Sequence, residues 1–278
     1  MTTLELSSIL AAASVLAGFL GSLTGLGGGV VIIPLLTLGL GIDIRYAIGA
    51  SLVSVIATSS GAAAAYVREG FSNIRIGMFL EIATTLGALA GAGMAARVSP
   101  SAIAVVFGLV LIYSAYLSNE PKTRGPEIDQ PDRLAGRLRM DGTFPSSEGP
   151  KSYHVRAVPA GFGLMFIAGT LSGLLGIGSG AVKVLAMDKI MGIPFKVSTT
   201  TSNFMIGVTA AAGAGVYLGK GYIDPGIVMP VMLGVLPGSL LGARLLVGAR
   251  TRVLRLVFGG VILLLGIEMI YNGITGRL

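Results

Sequence analysis

The sequence predicts an all-α polytopic membrane protein made of two inverted repeats, each a re-entrant helical hairpin followed by three transmembrane helices. Three observations predict it: a composition too apolar for water, a self-similarity at a fixed offset, and an uneven distribution of basic residues. Of 278 residues, 53% are hydrophobic and a further 43 are Gly, together about two thirds of the chain against roughly 45–50% in soluble domains. Mean hydropathy is +0.84. Charged residues make up 12%, about half the usual share, and they bunch, leaving apolar stretches of spanning length.

An offset of 151 residues aligns residues 17–118 with 168–269 without a gap. Gly25-Leu26-Gly27-Gly28-Gly29 falls on Gly176-Ile177-Gly178-Ser179-Gly180, Gly41-Ile42 on Gly192-Ile193, and Gly87 and Gly91 on Gly238 and Gly242. Chance does not hold register over such a length, so the chain divides into a first membrane repeat (1–118), a linker (119–158) and a second membrane repeat (159–278). The linker is interrupted by Pro121, Pro126, Pro131, Pro145 and Pro150 and is rich in charge. It is expected to be aqueous, with at most a short helix around residues 132–140.

Each repeat reads as four apolar segments, at 6–40, 46–67, 74–96 and 101–117 in the first. The last three have ordinary spanning lengths. The first is too long for one span even if tilted, and its glycine cluster lies in the middle. Two helices of about 15 residues, entering the membrane and turning back at the glycines, satisfy that length. The N-terminal stretch carries Glu5 and neither Lys nor Arg through Gly21, which reads as part of this element rather than as a signal peptide.

Basic residues choose between a hairpin and a single crossing. With hairpins, fifteen of the twenty Lys and Arg fall on the linker side, only Arg45, Arg97, Lys220 and Arg277 fall opposite, and Lys183 is in the membrane. A single crossing gives a much weaker bias. The positive-inside rule therefore favours inverted repeats in an inner membrane, with the linker cytoplasmic and both termini extracytoplasmic.

Several function classes fall away. The chain has no Cys and a lone His154, so no cofactor or metal is expected, and no nucleic-acid partner is needed to explain a net charge of +7 in a membrane protein. An enzyme would need converging nucleophile, base or metal ligands within the spans, and none converge.

Candidate site residues gather at the hairpin tips. Gly27, Gly28 and Gly29 in the first and Gly178, Ser179 and Gly180 in the second leave backbone N–H groups without helical partners at the positive end of a helix dipole, an arrangement suited to an anion. The competing reading is tight turns and close helix packing. Lys183 follows the second tip where the first repeat has Ile32. It suits a bound anion, or else an ion pair with a buried acid such as Glu81 or snorkelling toward the cytoplasmic interface. Ser51, Ser202 and Asn203 could complete an oxyanion site or act as polar glue. Glu81 could take up a coupling proton, or sit at the interface near Arg75. The small-xxx-small faces at Gly87/Gly91 and Gly238/Gly242 are expected to pack the halves together or to hold a homodimer.

These duplicated motifs resemble the sulfite exporter TauE/SafE family of the toluene sulfonate uptake permease group. The resemblance rests on Gly25 to Gly29 followed by Pro34, on Gly41-Ile42 and Gly49-Ala50-Ser51, and on their counterparts Gly192-Ile193-Pro194 and Thr200-Thr201-Ser202. It implies a bacterial inner-membrane permease for sulfite or small organosulfonates, driven by an ion gradient such as that of protons. The second tip departs from the family pattern at Ser179, Lys183 and Leu185. The two readings together point to a compact oxyanion bound between the tips and moved by alternating access. The alternative is a passive anion channel, which would need a continuous polar lining.

Overall fold

The computed structural model describes residues 3–24, 28–68, 72–119, 132–146, 149–248 and 251–276. The first repeat runs α1 (Thr3–Thr24), α2 (Gly29–Pro34), a π-helical turn (Leu35–Gly39), α3 (Ile44–Arg68), α4 (Ile74–Ala95) and α5 (Pro100–Asn119). The linker contributes α6 (Arg133–Arg137) and an antiparallel hairpin of β1 (Gly142–Ser146) and β2 (Gly149–Tyr153). The second repeat runs α7 (Val158–Leu175), α8 (Gly180–Leu185), a π-helical turn (Ala186–Ile190), α9 (Phe195–Gly219), α10 (Pro225–Gly248) and α11 (Thr251–Thr275).

The overlong apolar segment does break at its glycines, but unequally. In place of two arms of about 15 residues, a long arm of 22 or 18 residues is followed by a short one of six α-helical and five π-helical residues. The wide turn recurs at the same place in both repeats. Pro34, which lacks an N–H and crowds the preceding turn, precedes it in the first repeat, whereas Leu185 holds that position in the second. Proline is therefore not its cause. Both short arms end on a left-handed glycine, Gly41 (φ +65°) and Gly192 (φ +71°), and on matching bonds from the Ile42 and Ile193 N–H groups to the Leu36 and Met187 carbonyls.

Packing crosses between the repeats. Helix α1 lies on α10 and α7 on α4, while α3 packs on α9 and α5 on α11. Glycines permit the close approach. A Cβ on Gly87 would meet the Phe166 carbonyl, and one on Gly238 would meet that of Val15; Gly169 faces the Thr84 carbonyl as Gly18 faces that of Val235. Each of these pairs maps onto the other through the 151-residue offset, so the repeats exchange equivalent contacts. The faces around Gly87, Gly91 and Gly238 are thus spent within the chain, and a homodimer draws no support from them.

The outer surface is apolar. Met78, Ile82, Leu86 and Leu89 form an exposed stripe on α4, and Met229, Leu233 and Leu240 repeat it on α10. Such a surface fits lipid rather than water. Helices α4 and α7 are each long and apolar enough to cross a bilayer.

Among the described residues, the linker forms more regular structure than the short helix expected of it. Pro145 and Pro150 face each other across β1 and β2, in a ribbon with only one neighbour per strand, where a missing N–H costs little. The linker packs through Ala135, Met140, Tyr153 and Val155 against Ile76, Met187 and Met191. Asn73 fastens it: its side-chain oxygen caps α4 at the Ile76 N–H, while its amide donates to the Met140 carbonyl and to the Tyr153 hydroxyl (2.8 Å). Burial pushes the Tyr153 phenol above its ordinary pKa, which keeps it a neutral acceptor.

Candidate functional site

The second tip owes its shape to three left-handed residues. Gly176 and Gly178 each have φ +70°, and Ser179 has φ +47°. Glycine adopts this conformation without cost, whereas serine does so against the clash of its Cβ. Two serines at equivalent places in the repeats then fasten the turn. The Ser51 hydroxyl on α3 donates to the Gly176 carbonyl (2.7 Å), and the Ser202 hydroxyl on α9 donates to the Gly180 carbonyl (3.4 Å). Both protons are spent on the tip itself. Asn203 follows Ser202 on α9, half-buried.

The two tips meet. A Cβ on Gly29, the first residue of α2, would run into the Ser51 hydroxyl and the Gly176 carbonyl, so the start of the first short arm touches the second turn. Gly28 is buried just before it and accepts from the Ile32 N–H, as Ser179 accepts from the Lys183 N–H. Gly25, Leu26 and Gly27 lie outside the described residues.

Between the second tip and α5 is a narrow cleft lined by Val30, Val110, Ser114, Ile177, Ser179, Gly180 and Val182. It is mostly apolar, with room for little more than a water molecule. The Ser179 hydroxyl is buried there without a hydrogen-bond partner. A buried unsatisfied hydroxyl costs about 1–3 kcal/mol, and it is an obvious donor for a ligand.

Lys183 is fully buried. Its ammonium donates to the Thr209 hydroxyl on α9 (2.5 Å), and that hydroxyl donates in turn to Glu81 Oε1 on α4 (2.6 Å). Glu81 is buried and not beside Arg75, which instead donates to the Arg139 carbonyl. Thr85 also donates to Glu81 Oε1 (3.2 Å), while Glu81 Oε2 has no partner. Of the two partners expected for Lys183 on sequence grounds, the structure thus brings up the acid, one hydroxyl away. Thr209 carried no sequence signal, because a threonine in an apolar helix ordinarily bonds its own preceding turn, and the Met205 carbonyl is indeed there at 2.9 Å as the alternative acceptor.

At the C-terminal end of α4, Arg45 donates to the Ala95 and Val98 carbonyls and Lys220 to those of Ala92 and Gly93. Cations suit the negative end of a helix. The linker and Arg75 lie at the opposite end, where Arg156 reaches the Lys189 carbonyl.

The model of the family described as "Sulfite exporter TauE/SafE" matches residues 10–269. This chain belongs to that family. Among curated relatives, the probable membrane transporter protein YunE of Bacillus subtilis (strain 168) is 30% identical over 96% of this chain and 98% of its own length. YdhB of the same organism, also named a probable membrane transporter protein, is 26% identical over 83% of this chain and 84% of its own length. A protein of that description from Xylella fastidiosa (strain 9a5c) is 25% identical over 92% of each. No solved structure matches the chain. Family and fold together make it a helical membrane transporter.

Proposed function

We propose that the protein is a secondary transporter carrying sulfite or small organosulfonate anions across the bacterial inner membrane by alternating access, with the anion held where the two tips meet. The observation that carries this reading is the unpartnered Ser179 hydroxyl in a cleft at the start of α8, the helix that bears the fully buried Lys183. A sulfonate offers three oxygens to such donors, and a helix start adds backbone N–H groups to them, although in α2 the Val31 N–H already donates to the Gly28 carbonyl. The cleft is tight. An anion enters it by displacement of a short arm or of the neighbouring α5, as rocking of one bundle against the other would provide. Polar groups gather at the second tip and the α4–α9 seam instead of lining a continuous path, which supports a carrier over a channel.

The topology assigned to this transporter is inverted, with the linker cytoplasmic and the termini extracytoplasmic. Arg45 and Lys196 occupy equivalent places in the two repeats; Arg45 caps the end of α4 remote from the linker, whereas Lys196 follows the arm that Arg156 touches. Single cysteines introduced at Arg97 and Arg252 in this cysteine-free chain should label from opposite faces of the membrane, and labelling from one face rejects the inversion.

Thermal-shift titration of the purified protein with sulfite, sulfate, taurine, sulfoacetate and phosphate tests the substrate class. Stabilisation by sulfur oxyanions is expected, with its loss in Lys183→Ala. Stabilisation by none of them overturns the anion reading.

A further inference from the structure

Resting on the anion reading above, we propose that Glu81 and the transported anion are alternative counter-charges for Lys183, so that each anion that binds draws one proton onto Glu81 and the two travel together.

The argument is one of charge in a dry place. Lys183 and Glu81 are the charged side chains buried among the described residues, and joined through Thr209 they sum to zero. An anion added beside Lys183 leaves one uncompensated negative charge in the interior, which costs several kcal/mol. Protonation of Glu81 removes that charge and restores neutrality. The reverse state, Glu81 protonated with no anion, leaves Lys183 alone and is equally costly. The two low-energy states are therefore the empty pair and the pair carrying both anion and proton. The proton comes from water on whichever side the site is open, forms an O–H bond at Glu81, and returns to water when the anion leaves.

The geometry suits the exchange. The Lys183 ammonium has three donors and a single acceptor among the described residues, so two protons remain for an anion. Glu81 Oε2 is buried and unpartnered, a free seat for the incoming proton. Lys183 follows directly on Gly180 and Val182, which line the cleft, on an arm only six α-helical residues long. The device exists once. The offset places Ile32, Thr58 and Met232 at the positions equivalent to Lys183, Thr209 and Glu81, so no second pair competes for the proton. The groups facing Glu81 are Thr84 and Thr85 of α4, Thr209 of α9 and Lys183 of α8. Helix α7 carries no charged residue, the charged and phenolic groups of α9, Lys196 and Tyr217, lie near its two ends, and Asp188 and Lys189 lie beyond α8 in the π-helical turn.

The test measures protons and anion together. Purified protein in weakly buffered detergent is titrated with sulfate and with ethanesulfonate, neither of which titrates near neutrality, and pH change and affinity are followed above neutral pH. The expected result is uptake of one proton per anion, with Kd rising about tenfold per pH unit. In Glu81→Gln, binding should persist, and at mildly acidic pH, where the lone Lys183 keeps its proton, the uptake that the wild type shows should be absent. The double variant Glu81→Gln with Lys183→Met leaves no unpaired buried charge, so it tests the idea even if the single variant does not fold; it should lose both binding and uptake. Anion binding by the wild type without proton uptake, or uptake that survives in Glu81→Gln at mildly acidic pH or in the double variant at any pH, overturns this inference and leaves the anion reading intact. Failure of both anions to bind the wild type overturns the two together.

Discussion

The two short arms hold equivalent places in a duplicated chain, and they differ at the residues that matter for chemistry. Both follow a glycine cluster in the sequence, both widen into a π-helical turn at the same position, and both end on a left-handed glycine. The first arm buries Val30, Val31, Ile32 and Ile33, and its one polar side chain, Thr37, donates back to the Ile33 carbonyl. The second carries Lys183 and opens on a left-handed Ser179 whose hydroxyl has no partner. Both equivalent serines, Ser51 and Ser202, bond to the second tip. Duplication supplied the scaffold, and one copy took up the polar groups. Such places, where a local rule is broken without compensation nearby, are where function is to be sought.

Making the first arm like the second should break the molecule. Ile32→Lys puts a second ammonium at a fully buried position with no acid at Met232 to answer Glu81, at a cost on the order of 5 kcal/mol. The expected outcome is loss of the monodisperse peak in size-exclusion chromatography. Survival of a well-folded variant would show that the first tip also reaches water.

The shared scaffold should respond alike on both sides. Gly87→Ala and Gly238→Ala push against the Phe166 and Val15 carbonyls in matching pairs, and each should cost about 1–3 kcal/mol through overpacking. Similar drops in thermal midpoint are expected. A drop confined to one variant would mean that the two seams carry different loads.

The smallest effect sharpens the difference between the tips. Ser179→Gly restores the residue found at Gly28 and relieves a left-handed serine, a gain of about 0.5–1 kcal/mol. It also removes the free hydroxyl, so affinity for a sulfur oxyanion should weaken about fivefold, the worth of one hydrogen bond. A variant that is more stable and binds less tightly is the expected result, read by thermal shift with and without anion.

Much of this was legible in the sequence. The repeat offset, the break at the glycines and the contacts around Gly87 and Gly238 all follow from residue spacing, because glycine at helical intervals has few uses in a membrane other than close packing. The β1–β2 hairpin was not legible, since its paired prolines argue against a strand unless the ribbon is known to stand alone. The direction of Lys183 was open too: one-dimensional spacing does not say that α4 and α9 bring Glu81 and Thr209 to the same buried point. The spent hydroxyls of Ser51 and Ser202 likewise depend on a turn whose carbonyls only the three-dimensional structure orients.

The crossed packing of the long arms also bears on how the chain is made. Helix α1 leaves the ribosome well before α10, yet its glycine face at Gly18 closes on Val235, and its carbonyls at Ala11 and Val15 receive Gly234 and Gly238. Until α10 has been synthesised and inserted, α1 has no permanent neighbour for that surface. Domains generally fold as units in order of synthesis, but here neither repeat completes itself alone. The first half must wait in the bilayer, exposed to mispairing, for α10 to arrive.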